Sequence, residues 1–214
     1  MLDVCTGTGL LALAGARMGA GEVHAVDVSC RAAVAARWNA LVRGLPVTVH
    51  RGDFLREVTG RFDVVTANPP YVPCAGAARH AGRRARAWDG GEDGRAYLDR
   101  LCAAAPRLMA ENGVLLIAQS ALADAGRTVE LLREAGLRAA VTARAVQPFG
   151  PVMRSQAPWL EARGLIAPGR REEELVIVRG DFVRPGAGGA DRGAGRRAGR
   201  GPGGAACGPS PWTC

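Results

Sequence analysis

Short apolar runs alternate with helix-like segments along most of this chain, and that alternation limits its fold more than any other feature. Met1–Cys5, Glu22–Val28, Val47–Arg51, Phe62–Ala67 and Val114–Gln119 read as strands. Leu10–Met18, Cys30–Val42, Arg95–Ala110 and Ala123–Ala135 carry helical patterns between them. Ser29 can cap the second helix, and Gly136 can end the last. Phe62–Ala67 is almost continuously apolar, as a strand buried on both faces must be. Leu137–Ala145, Glu161 with its neighbours, and Leu175–Val178 complete the fold. Such alternation builds βαβ units, so the expected class is α/β: a mainly parallel sheet with helices on both faces.

The 214 residues suffice for one domain with a sizeable core. No stretch approaches the ~20 apolar residues that span a bilayer. Asp3, Gly7 and Gly9 interrupt any apolar region of a signal peptide, so the expected location is the cytoplasm, away from any membrane. Residues 1–183 form the expected domain. From Arg184 to Cys214 the composition turns to Gly, Arg, Pro and Ala, too poor in apolar area to offset ordering entropy, and this tail is expected to be disordered. All 28 basic residues are Arg, and the net charge is +8, of which the tail holds about half. A basic domain can meet nucleic acid or an acidic protein, although a solvated Arg-rich surface gives the same balance. The cysteines at 5, 30, 74, 102, 207 and 214 lack zinc-type spacing, and His24, His50 and His80 do not cluster with them, so no metal is expected. Met1 lies inside the first strand, which is therefore expected to be truncated.

Two groups of residues carry chemistry. Asp3-Val4-Cys5-Thr6-Gly7-Thr8-Gly9 follows a strand and opens a helix. Two glycines there allow a sharp turn and a close approach of backbone to ligand. The same turn occurs with no ligand, and it fits a dinucleotide as well as S-adenosylmethionine. Asp27 ends the second strand about twenty residues later, where a carboxylate can accept from both hydroxyls of a ribose. It can equally serve the N-terminus of the following helix. Asp53 can accept from an adenine amine, and Phe54 can pack on the ring. Asp3, Asp27 and Asp53 are expected to face the crevice where open α/β sheets bind ligands.

Asn68-Pro69-Pro70-Tyr71 ends the fourth strand. Two prolines remove two backbone donors and fix the local chain. An amino group on a planar π system would find acceptors in the Asn68 side chain and an adjacent carbonyl, with the Tyr71 ring to stack on. Asn-Pro-Pro also occurs as a plain turn.

Together with Val72-Pro73 and Trp88-Asp89-Gly90-Gly91-Glu92-Asp93-Gly94-Arg95, these residues resemble the release-factor glutamine methyltransferases of the HemK/PrmC type over about residues 1–180. The resemblance implies a Rossmann-like class I methyltransferase with a seven-stranded sheet. It implies S-adenosylmethionine held by Asp3, Cys5, Thr6, Gly7, Thr8, Gly9, Asp27, Asp53, Phe54 and Asn68. It implies a glutamine amide held by Asn68, Pro69, Pro70 and Tyr71, with a peptide-chain release factor as protein substrate and a small activating subunit as a further partner. Cys5 stands where the family has its first glycine, and the family's N-terminal segment is expected to be missing from this sequence. The alternatives are an N6-adenine methyltransferase acting on DNA or RNA, which uses a similar Asn-Pro-Pro-aromatic box, an inactive S-adenosylmethionine-binding protein, and a nucleotide-dependent oxidoreductase.

Overall fold

In the computed structural model, residues 1–75 and 87–183 are described. They form one seven-stranded sheet. Strands β1 (Leu2–Val4), β2 (Val23–Asp27), β3 (Val47–Arg51), β4 (Phe62–Ala67), β5 (Met109–Ser120), β6 (Arg138–Pro148) and β7 (Glu172–Asp181) lie in the order β3-β2-β1-β4-β5-β7-β6. β1 to β5 pair in parallel, and β7 runs antiparallel between β5 and β6. The expected α/β class and mainly parallel sheet are those observed.

The helices are α1 (Leu10–Arg17), α2 (Cys30–Leu41), α3 (Phe54–Glu57), α4 (Leu98–Leu108), α5 (Ala125–Glu134) and α6 (Pro151–Ala162). Alternation along the parallel strands assigns them to opposite faces. Val23, Ala25 and Val49 pack with Ala12 of α1 and with Ala33 and Ala36 of α2. Leu2, Val4, Val26, Val65, Leu115 and Ile117 face the other way, onto Leu98, Leu101 and Ala105 of α4 and Leu132 of α5. The small alanines of α1 and α2 bring those helices close to the sheet, while Leu and Ile fill the deeper opposite layer. A third cluster joins α6, through Met153, Ala157 and Leu160, to Val72 and Phe149.

Strand order reverses beside β1, whose neighbours are β2 and β4. That switch point opens the crevice in which such sheets bind ligands. The register is decisive here. Val4 pairs with Ala67, so the glycine turn and the Asn68 turn leave the sheet from adjacent positions.

Several boundaries differ from the sequence pattern. The helix expected over Arg95–Ala110 spans Leu98–Leu108, because Met109 and Ala110 already belong to β5. Asn112 takes a φ of 62, and its backbone N–H donates to Phe182 at 2.9 Å; this irregular start makes β5 longer than Val114–Gln119. Glu161 lies on α6, which Pro151 opens at its first turn. The tail from 184, and residues 76–86 of the Gly/Arg-rich loop, lie outside the described residues. Among the described residues, no helix is long and apolar enough to cross a membrane.

Candidate active site

The cofactor-side loop is built on Asp3. This residue is 1% exposed, inside β1, and its carboxylate is consumed within the protein. Oδ2 accepts from the Thr6 hydroxyl at 2.5 Å and from the Ala12 N–H at 3.2 Å, and Oδ1 accepts from the Thr66 hydroxyl at 2.8 Å. Asp3 was expected to face the crevice; instead it lies behind the loop and ties β1, α1 and β4 together. Burial raises its carboxyl above the ordinary value, against the opposing pull of Thr6, Thr66 and the Ala12 N–H.

The rest of the loop follows from that anchor. The Thr6 N–H donates to the Val26 carbonyl at 3.1 Å, and Gly9 N–H to the Thr6 carbonyl at 2.9 Å. Gly7 and Gly9 take φ values of 58 and 89, the left-handed region where a side chain is strained. A Cβ on Gly9 would come within 3.2 Å of the Ala36 Cβ, whereas Gly7 faces open space. Cys5 also takes a positive φ, 57, in the left-handed region that favours glycine. Burial, with Asp27, Asp3 and Asp53 nearby, pushes its thiol up to about 12, so it is a neutral spacer and no nucleophile. Asn39 of α2 reaches back to the Thr8 carbonyl, donating through Nδ2 at 3.0 Å.

Asp27 sits across the turn. Its Oδ2 accepts from the Gly7 N–H at 2.9 Å and its Oδ1 from the Ser29 N–H at 2.8 Å. Asp27 thus braces the start of α2, as one of its two readings has it, and its carboxylate lies beside the glycines. Asp53 caps α3, accepting from the Leu55 N–H at 2.9 Å, and Arg100 of α4 contacts its other oxygen at 2.6 Å. Burial alone would raise Asp53, but the hydrogen bonds from Arg100 and the Leu55 N–H and the charges of Arg100 and Arg56 hold it below its usual range. The same guanidinium lies 5.7 Å from the centre of the Phe54 ring. Arg100 is thus a site residue that sequence reasoning missed; its place on α4, 47 residues along the chain from Asp53, gives no local signal.

Asn68 is exposed at the end of β4, with Pro69 and Pro70 buried behind it. Its side chain has no hydrogen-bond partner among the described residues. Tyr71 packs against both the main core and the α6 cluster. The segment from Trp88 to Arg95 forms the brace of this turn. Val72 N–H donates to the Trp88 carbonyl at 2.9 Å, Gly90 N–H to the Val72 carbonyl at 3.0 Å, and Cys74 N–H to the Gly91 carbonyl at 2.9 Å. Val72 and Asp89 form a parallel bridge. Buried Arg95 then clips the brace to the start of α5, donating to the carbonyls of Ala123 at 2.5 Å and Asp124 at 2.8 Å. The two sequence motifs are one structural unit.

The fit to S-adenosylmethionine rests on this donor set: a carboxylate beside left-handed glycines, a second one beside an aromatic ring, and open space before Gly7. Among known families, the methyltransferase small domain matches residues 1–84. A Methanocaldococcus jannaschii protein named for protein N5-glutamine methyltransferase activity is 34% identical over 153 residues, covering 72% of this chain and 78% of that one. This chain belongs to the protein N5-glutamine methyltransferase family. The release factor glutamine methyltransferase of Deinococcus radiodurans is 39% identical over 123 residues, which cover 55% of this chain and 44% of that protein. The chain thus spans less than half the length of that bacterial relative. The E. cuniculi Mtq2–Trm112 complex, which methylates the eRF1 termination factor, shares the fold at a TM-score of 0.55 and 21% identity, over 84% of this chain and 82% of that one. The family and the fold are those of a methyltransferase, as the sequence motifs imply.

Two outcomes test this geometry. A Cβ on Gly94, which has a φ of 77, would strike the Tyr71 carbonyl oxygen. Gly94→Ala is therefore expected to cost about 2–5 kcal/mol in urea unfolding, from left-handed strain plus overpacking. Tyr71 supplies a pH test. Burial, then the nearby charge of Glu173, raises its phenol from 10.0 to about 12. Between those values the unfolded chain has lost a proton that the folded protein keeps, so stability falls as pH rises from 10 towards 12. Tyr71→Phe is expected to flatten that slope in unfolding measured across the window.

Proposed function

We propose that this chain transfers the methyl group of S-adenosylmethionine to the side-chain amide nitrogen of a glutamine in a peptide-chain release factor in the cytoplasm. The observation that carries this reading is the register of Val4 with Ala67, which starts the glycine turn and the Asn68 turn side by side. Thr6 to Gly9 with Cys5 would receive the amino-acid part of the cofactor, Asp27 the ribose hydroxyls, and Asp53 with Phe54 the adenine. When bound, S-adenosylmethionine supplies an electrophilic methyl group on a sulfonium.

The chain's own residues do the rest. An amide nitrogen is a poor nucleophile because its lone pair is delocalised. The Asn68 side-chain oxygen and the Pro69 carbonyl accept its two N–H bonds and turn the nitrogen towards the cofactor side. The Tyr71 ring packs against the flat amide. Fixing this orientation supplies up to ~7–11 kcal/mol of the barrier in the best cases. The proton leaves after transfer, so no side chain of shifted pKa has to remove it first. A small activating subunit is part of the proposal, in line with the partnered E. cuniculi structure of the same fold.

Asn68→Ala is expected to lower transfer of labelled methyl to a release factor by about 10²–10³-fold, the scale for losing one aligned polar contact in a transition state. Asp27→Ala is expected to weaken S-adenosylmethionine by about 1.5–3 kcal/mol in calorimetry. Label in DNA or RNA in place of the protein would overturn the substrate, and an unchanged affinity of Asp27→Ala would overturn the ribose role.

A further inference from the structure

Glu173 is the buried acid that the mechanism above does not use. It is 4% exposed, yet its Oε2 is buried with no hydrogen-bond partner among the described residues. Among the described residues, its other oxygen accepts from Gln147 Nε2 at 3.3 Å. An orphaned buried carboxylate oxygen is costly and persists where something else supplies the donor. The register shows where it lies. Leu175 pairs with Ser120, the last residue of β5, so Glu173 on the antiparallel β7 stands two residues past the end of that strand, at the crevice edge. On the other side of β5, Ala67 pairs with Ile117, and Tyr71 stands four residues past the end of β4, at a similar height. Phe149 closes this corner: it packs in the cluster that contacts Tyr71, and its N–H donates to the Arg171 carbonyl at 2.7 Å. The rise in the Tyr71 phenol's pKa, to which the Glu173 charge contributes, agrees with this placement.

We propose that Glu173 is a specificity-determining residue of the acceptor pocket: its free oxygen takes an N–H of the polypeptide that presents the target glutamine, and its charge excludes adenine. This assignment rests on the amide-methylation reading. The chemistry separates the two substrates. A glutamine in an extended loop is flanked by backbone N–H donors. The exocyclic amine of adenine is flanked by ring-nitrogen acceptors, whose lone pairs a fixed carboxylate repels. Asn68, Pro69 and Tyr71 alone accept either group, so a charge beside Tyr71 is what makes the box selective.

The test uses the full chain, S-adenosylmethionine, a release factor and an adenine-containing oligonucleotide, with Glu173→Gln and Glu173→Leu. In both variants KM for the release factor is expected to rise about 10- to 100-fold, the scale of one hydrogen bond to a charged group, with kcat and cofactor affinity unchanged. Oligonucleotide binding should tighten. Both variants should melt no lower than the parent, since an uncompensated buried charge is removed. The Tyr71 titration, read by absorbance after subtracting a Tyr71→Phe control, should move down in Glu173→Gln. An unchanged KM in folded variants overturns the assignment and leaves amide methylation standing. So does a variant that is destabilised with KM unchanged, which marks a structural role. A parent protein that methylates no glutamine overturns both.

Discussion

The carboxylate of Asp3 is the constraint on which the rest of the site depends. It collects three donors from three elements: the Thr6 hydroxyl in the loop, the Ala12 N–H in α1 and the Thr66 hydroxyl in β4. Burial makes the charge costly, and the three hydrogen bonds are what offset that cost. With Asp3 satisfied, the glycine turn has one shape, and β4 is fixed beside β1. A fully buried carboxylate thereby sets the spacing of the two motifs of the candidate site.

From that anchor the site is assembled by layers of backbone hydrogen bonds. Asp27 holds the Gly7 N–H, and the Trp88–Arg95 segment holds Val72 and Cys74. Arg95 passes the constraint on to α5. Such a frame suits a reaction whose catalytic demand is orientation more than proton transfer. It also explains why the neutral Cys5 is tolerated in a left-handed position: the residues around it are over-determined, so its strain is absorbed.

Much of this was legible in the sequence, for local reasons. Phe62–Ala67 has the composition of a doubly buried strand, and Asn68-Pro69-Pro70 cannot continue one. Asp27 was found by spacing, since a βαβ unit has a nearly fixed length. Asp3 was placed in the crevice because its partner Thr66 lies 63 residues away and no pattern links them. The long antiparallel β6–β7 pair was seen only in part, since its register comes from pairing across the intervening α6 and not from its own composition. Helix α6 is hidden by Pro158 in its middle. Glu173 sits in the run Glu172-Glu173-Glu174, which reads as a solvated charge patch until the fold buries its centre.

On the proposed function, the buried Asp3 is expected to control the affinity for S-adenosylmethionine without touching it. Calorimetric titration of Asp3→Asn with S-adenosylmethionine tests it most directly, because the variant keeps the shape of the side chain and turns one acceptor into a donor. The expected result is a folded protein that binds S-adenosylmethionine about tenfold or more weakly, as the loss of charged hydrogen bonds to the loop requires. A folded Asp3→Asn protein with the parent's affinity would contradict it.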